Sequence, residues 1–315
     1  TLIFTLAGIG ILTSLWYASA QPCQISRIPM QSATKYTFSG HESFSCKSLW
    51  LKKGYDFVAS GEDFNSANAV VALGVGKNMV ASIRYWMRAF GLLDGKELTP
   101  ISHYLFASNT GRDPYLESLG SIWLLHFLIL RTELASLYRL CFLRFQKERR
   151  TFDRQCLLNY VKRILVEEGK TSFFNENTMK KDIGVLLQNY MVPSRVQSFE
   201  DYSSLLIDLD LIRRAENEKL YQFNVEGKRR VPEEILLYAI LENKNAESTV
   251  GYSFFQELSL MFCMSESEML EALHQLQENY PNEIRYSDTA GMKQLQFLCE
   301  MNPIDVLDKY YTNHA

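Results

Sequence analysis

Residues 66–93, SANAVVALGVGKNMVASIRYWMRAFGLL, carry the most legible part of the fold. A short apolar run (67–73) meets Gly74-Val75-Gly76, and a longer helical pattern runs from Lys77 to Phe90. Two glycines suit a tight turn that needs positive φ. The layout is that of a helix-turn-helix. At about 100° per residue, Met79, Val80, Ile83, Trp86, Met87 and Phe90 share an arc of about 120°, the stripe expected to face a core. Lys77, Arg84 and Arg88 cluster on a different face, flanked by Asn78, Ser82 and Tyr85. That face offers cations, an amide and hydroxyls without one acid. Arginine and lysine hold phosphates or guanine edges, and asparagine pairs with adenine. These six residues are therefore the expected DNA-binding set. A solvated helix of a bundle would show the same stripe, and helix-turn-helix geometry also serves interaction modules.

Downstream, Asp94-Gly95 reads as a turn, with 97–105 as a wing or short packed segment. Gly111-Arg112-Asp113-Pro114-Tyr115 is a rigid turn before an apolar helix over 119–130, in which His126 is expected to be a satisfied core histidine. Upstream lies TFSGHESF (37–44). Ser39 and Glu42 have capping-box spacing, which would open a helix into SLWLKK and leave His41 exposed beside the DNA-binding unit.

Residues 139–163, RLCFLRFQKERRTFDRQCLLNYVKR, hold eight basic and two acidic residues. They suit either a phosphate backbone or an exposed helix pair. NENTMKKDIGVLLQNYM then reads as a second recognition-type helix. Met179, Ile183, Leu186, Leu187 and Tyr190 form its buried face, with Lys180, Lys181 and Gln188 outward. Lys180 and Lys181 join the DNA-binding candidates. From Val231 a third unit follows: a helix with Pro232 at its start, a second helix, and a third opened by Ser265 and Glu268 as a capping box. A hairpin around 288–291 closes it. The expected fold is mainly α, of α+β type. It comprises several winged-helix or helix-turn-helix-like units packed together with short β-hairpins. The expected division is an N-terminal domain over 30–138, a basic middle domain over 139–232 and an acidic domain over 233–315.

Charge follows that order. Residues 1–232 carry a net +7 and residues 233–315 a net −10. The front can meet a polyanion, and the tail would repel one. Glu266, Glu268 and Glu271 occupy the early turns of the third unit's last helix, so that unit is expected to contact protein and not DNA. None of the six cysteines forms a C-x-x-C pair, against a zinc ribbon or a disulfide scaffold. Reduced thiols fit a cytoplasmic protein with no membrane contact. The extension over 1–29 opens with twenty apolar, uncharged residues that end Ala18-Ser19-Ala20, a small-x-small pattern like a cleavage site. Met30 is a plausible start, which would leave 1–29 outside the native protein. Secretion or membrane anchoring is the alternative.

FSGHESF, WLKKGYDFV, LGVGKNMVASIRYWMRAFGLL and GRDPYLESLGSIWLLHFLIL, in that order, resemble the bacterial family known as domain of unknown function 4007. The similarity runs over about 36–297. It implies a bacterial or phage-defence setting beside enzymes that place sulfur in the DNA backbone, a cysteine desulfurase and an ATP-pyrophosphatase-like protein. A relative in the family is associated with DNA nicking during single-strand phosphorothioation. At Ser43 the family more often reads threonine. The resemblance supplies no catalytic residues.

Two functions compete. The first is a DNA-binding component of phosphorothioation machinery, with nicking as its enzymatic form. Phosphodiester cleavage needs an activated water, a charge stabiliser and usually a divalent metal held by carboxylates. His41 and Glu42 are the acid/base candidates, Asp113 a metal carboxylate for Mg²⁺ or Mn²⁺, and Arg112 an oxyanion partner. No spacing ties them together. The second is a non-catalytic adaptor or regulator that binds DNA and recruits protein partners, which the resemblance implies are sulfur-transfer or ATPase subunits received by the acidic C-terminal unit. GVGKNM lacks the P-loop frame. Ser45 stands where an H-E-x-x-H zinc site would need its second histidine.

Overall fold

The computed structural model describes residues 35–132, 134–192, 204–217, 219–289 and 291–314. The 1–29 segment and Met30 lie outside the described residues. The chain is α+β, with helices around small antiparallel sheets.

The first unit begins with α1 (Trp50–Ala59), α2 (Ala69–Leu73) and α3 (Lys77–Ala89). Gly74 ends α2 in the left-handed region (φ 64°), as expected, whereas Gly76 is extended (φ −66°) and only precedes α3. The α3 stripe is core: Val80, Ile83, Trp86 and Met87 are buried. A two-residue hairpin follows, β1 (Leu93–Asp94) and β2 (Glu97–Leu98), turning at Gly95 (φ 58°). Then come α4 (Pro100–Phe106) and α5 (Leu119–Arg131).

Helix α5 is buried on every side, from Gly120 to Arg131. An all-round apolar helix needs neighbours all round, and it has them. His126 Nδ1 meets the Tyr190 hydroxyl at 2.8 Å and its Nε2 the Met261 carbonyl at 2.7 Å. It is the satisfied core histidine expected, and burial pushes its pKa down to about 4. Trp123 Nε1 donates to the Arg230 carbonyl, and Arg131 pairs with Glu242 at 2.7 Å. Among the described residues no single helix is long and apolar enough to cross a membrane.

After α5, α6 (Ser136–Arg139) passes through a π-helical stretch (Leu140–Phe145) into α7 (Gln146–Glu148). Strand β3 (Thr151–Phe152), α8 (Arg154–Glu167), α9 (Glu176–Tyr190), β4 (Ile212–Arg214) and β5 (Tyr221–Phe223) complete the middle unit, with sheet order β3-β5-β4. The third unit repeats this succession: α10 (Glu233–Asn243), β6 (Thr249–Gly251), α11 (Tyr252–Met261), α12 (Glu266–Asn279), β7 (Ile284–Thr289) and β8 (Met292–Phe297), with sheet order β6-β8-β7. The sequence shows no convincing short-period repeat, yet helix, strand, two helices and a hairpin recur. Strands β3 and β6, absent from the sequence reading, make each hairpin a three-stranded sheet.

Local chemistry explains the better-anticipated pieces. In β7 and β8 the buried residues alternate, and Ile284 pairs with Phe297 and Tyr286 with Leu295 across the ladder. Ser265 caps α12 by accepting the Glu268 N–H at 3.2 Å. The box is only half made, because the Glu268 carboxylate goes to the buried Lys228 at 2.6 Å.

The last helix, α13 (Pro303–Asn313), returns to the first unit. The Tyr310 hydroxyl accepts the Gly120 N–H at 2.9 Å, and Asp308 meets Arg112 and the Tyr104 hydroxyl at 2.6 and 3.0 Å. A Cβ on Gly120 would sit 2.3 Å from the Tyr310 ring, so only glycine admits this approach. One buried cluster thus runs from Tyr36 to Tyr311.

Candidate functional site

The stretch around His41 forms no capping box. Helix α1 starts later, at Trp50. Ser39 (φ 69°), Gly40 (φ 100°), Glu42 (φ 48°) and Ser43 (φ 64°) are all left-handed, a conformation that ordinary side chains resist. Buried and partly buried hydrogen bonds hold it. Asp182, on α9, accepts the Ser39 N–H at 2.8 Å and meets His41 Nε2 at 2.9 Å. The Ser43 N–H donates to His41 Nδ1 at 3.1 Å, so the ring proton sits on Nε2 and donates to Asp182. Seven residues along α9, Asn189 Oδ1 accepts the Cys46 N–H at 3.0 Å. On the other side, the Ser82 hydroxyl donates to the His41 carbonyl and Trp86 Nε1 to the Phe44 carbonyl. Residues 39–46 are therefore a strap that ties α3 to α9.

This corrects several expectations. His41 is 4% exposed, not open to solvent. Ser82 is fully buried beneath the strap and is not part of a DNA-facing surface. Tyr85 is partly covered: a Cβ at Gly40 would lie 2.7 Å from its ring, and its hydroxyl donates to the Leu134 carbonyl. The flank of α3 that carries Ser82 and Tyr85 looked free only because nothing in α3 reveals the strap above it.

The cationic face itself is open. Lys77, Arg84 and Arg88 line a cleft of about 680 Å³, with Gly40, Tyr85, residues 64–67, Ala69, Val70 and Leu134 around them. No aspartate or glutamate is among the lining residues. Lys77 and Arg88 are exposed and have no ion-pair partner among the described residues. Arg84 Nη1 donates to the Asn65 amide oxygen at 2.8 Å, and Asn65 in turn donates to Asp63 at 2.9 Å, so Arg84 has a neutral first partner and no direct ion pair among the described residues. Asn78 is exposed at the first turn of α3.

The catalytic candidates are not brought together. Asp113 is 7% exposed, and both oxygens are occupied: Oδ1 accepts the Glu117 N–H at 2.9 Å, and Oδ2 accepts the Ser118 N–H at 2.9 Å and the Ser121 hydroxyl. It caps the approach to α5. Arg112 is committed to Asp308. Glu42 is exposed and has no side-chain partner among the described residues. No three His, Cys, Asp or Glu side chains among the described residues could hold a metal together. His41 and Asp113 are already spent on hydrogen bonds and only Glu42 is left open, so the expected trio does not fit a protein-built Mg²⁺ or Mn²⁺ site.

The model of the family described as a protein of unknown function, DUF4007, matches residues 38–311. The chain belongs to the DUF4007 family. Two solved structures are similar over the same extent. A magnesium-ion-bound crystal structure of SspB is 26% identical, covers 89% of each chain and has a TM-score of 0.76. Another SspB crystal structure is 26% identical, with 89% of each chain covered and a TM-score of 0.74. No curated protein matches the chain.

Elsewhere in this DUF4007 chain the charge is more internally matched. Lys180 pairs with Glu176 at 2.6 Å, and Lys181 is exposed without a partner among the described residues. In the 139–163 run, Arg144 pairs with Glu168 and Arg163 with Glu148, while Lys147, Arg149 and Arg150 are exposed. Glu266, Glu268 and Glu271 of α12 face Lys293, Lys228 and Arg230. The sequence reading missed Asp182 and Asn189. The available signal was an acid and an amide seven residues apart beside the apolar stripe of α9, where a solvated face would not need them.

Proposed function

We propose that this chain is a DNA-binding component of a bacterial DNA phosphorothioation defence system, engaging the DNA backbone through the cleft beside α3. One observation carries the reading: Lys77, Arg84 and Arg88 line a single cleft without a carboxylate. Phosphate contacts supply most sequence-independent affinity for DNA. Similarity to SspB and family membership support the setting. The recurring strand, two helices and hairpin support reading the units as winged helices.

A non-catalytic role is favoured over nicking by the fate of the catalytic candidates. His41 and Asp113 are buried and fully hydrogen-bonded, which leaves neither free to take a proton from water. On this reading the acidic third unit receives the protein partners. Nicking of supercoiled plasmid by pure protein with Mg²⁺ or Mn²⁺, lost in Glu42→Ala, would favour the enzyme instead.

DNA binding is tested by the salt dependence of duplex affinity. Losing two phosphate contacts in Arg84→Ala/Arg88→Ala should flatten the log–log slope by about 1.8. An unchanged slope would remove the cleft from the interface.

A further inference from the structure

A recognition helix reads a duplex by protruding into its groove. The cationic face of α3 instead forms one wall of a hollow. Its volume, about 680 Å³, falls within the range of roughly 300–1,000 Å³ typical of small-ligand sites. The lining is also divided in character. Phe64, Val70, Val80 and Tyr85 give it an apolar and aromatic interior beside Lys77, Arg84 and Arg88. On α2, Val70 is 40% exposed and its neighbour Val71, outside the lining, is 77% exposed.

A simple anion does not require an apolar interior, and an apolar ligand does not require three cations. A nucleotide requires both, having a flat π-face and a phosphate on each side. Stacking on aromatic side chains with backbone contacts to cations is the general chemistry of unpaired strands. Gly40 sharpens the fit: without a side chain, the strap can lie against the Tyr85 ring without filling the cleft.

We infer that the cleft receives one unstacked nucleotide of a DNA strand, its base against Tyr85 and the aliphatic wall and its flanking phosphates on Lys77, Arg84 and Arg88. This rests on the DNA-binding reading above. It goes beyond that reading by replacing a helix laid in a duplex groove with a base taken out of the stack.

The test uses the full chain and two labelled DNAs of the same sequence. One is fully paired. The other carries a single unpaired 2-aminopurine, whose fluorescence rises when it leaves the stack. The bulged DNA should bind about tenfold more tightly, the advantage of one stacked base, and its fluorescence should rise on binding. Equal affinity with no fluorescence change would overturn the inference and leave DNA binding standing. Failure to bind either DNA would overturn the DNA-binding reading itself. Ala81→Trp places a ring in the cleft from an exposed position on α3. In that variant, with unfolding temperature and circular dichroism matching the parent, the preference for the bulge should disappear. A preference that survives would place the base elsewhere and refute the proposal.

Discussion

Replacing Asp182 tests the strap, because one carboxylate holds two of its donors. In Asp182→Ala, the Ser39 N–H and His41 Nε2–H both lose their acceptor; the His41 bond is buried, whereas the Ser39 bond is only partly so because Ser39 itself is exposed. The buried imidazole donor left unsatisfied costs about 1–3 kcal/mol, and the Ser39 N–H costs less because water can reach it. Removing the carboxylate also removes its desolvation cost, which offsets part of this. A net loss of about 2 kcal/mol is expected, or roughly 4 °C in unfolding temperature at the low end of the usual conversion for large domains.

Asp182→Asn is the sharper variant. An amide has one acceptor oxygen, and two donors need one. If the oxygen keeps Ser39, the NH₂ faces His41 Nε2–H. The imidazole could relieve that clash by moving its proton to Nδ1, but Nδ1 already accepts the Ser43 N–H at 3.1 Å. The asparagine variant should therefore lose about 2 kcal/mol although it is nearly isosteric. Urea unfolding of parent, Asp182→Asn, His41→Ala and the double variant gives the cycle, with a coupling of about 1–2 kcal/mol expected between the two residues. An Asp182→Asn protein within about 0.5 kcal/mol of the parent would refute the assigned tautomer and the shared-acceptor argument with it.

Three other outcomes are expected. His126 is fully buried and its pKa falls from the ordinary 6.5 to about 4, so the unfolded chain takes up a proton first as pH drops. Its contribution is complete above pH 6.5 and is lost as pH falls toward 4, by about 3 kcal/mol in all; denaturant midpoints across that window should show it, and His126→Gln should flatten the curve. Asp113→Ala should lower the unfolding temperature through two orphaned N–H groups and one hydroxyl, about 2–4 kcal/mol, by the same amount with and without Mg²⁺; a magnesium-dependent difference would restore its role as a metal ligand. Gly40→Ala places a Cβ 2.7 Å from the Tyr85 ring at φ 100°, and should cost about 1–3 kcal/mol and weaken DNA binding in an anisotropy titration.

What could be read from the sequence divides by the range of the interaction. The core stripe of α3, the cap at Ser265 and the hairpin at 284–297 depend on neighbours within a few residues, and each appears where its pattern puts it. The same holds for His126, whose all-apolar surroundings mark it as interior. Strands β3 and β6 are two and three residues long and pair with partners about 70 and 45 residues away, so their local pattern is too brief to stand out. The recurring unit topology was hidden for the same reason, since it rests on pairings and not on repeated residues.

The candidate site shows the sharper limit. Charge at i, i+7 and i+11 of α3 identified its cationic face correctly, because periodicity says which residues share a side. It could not say whether that side is ridge or hollow. Concavity comes from residues 64–70, Gly40 and Leu134, which reach the cleft from three other parts of the chain. The stretch TFSGHESF was misjudged in a complementary way. Its serine-glutamate spacing suggested a local cap, but Asp182 lies 143 residues from Ser39 and satisfies the same backbone more strongly. A charge-assisted bond, from a carboxylate that also holds the buried His41 imidazole, outweighs a local capping box. The histidine that looked catalytic is thus explained by what it positions: with Asp182 it holds left-handed backbone against Tyr85, and that backbone forms the side-chain-free edge of the cationic cleft.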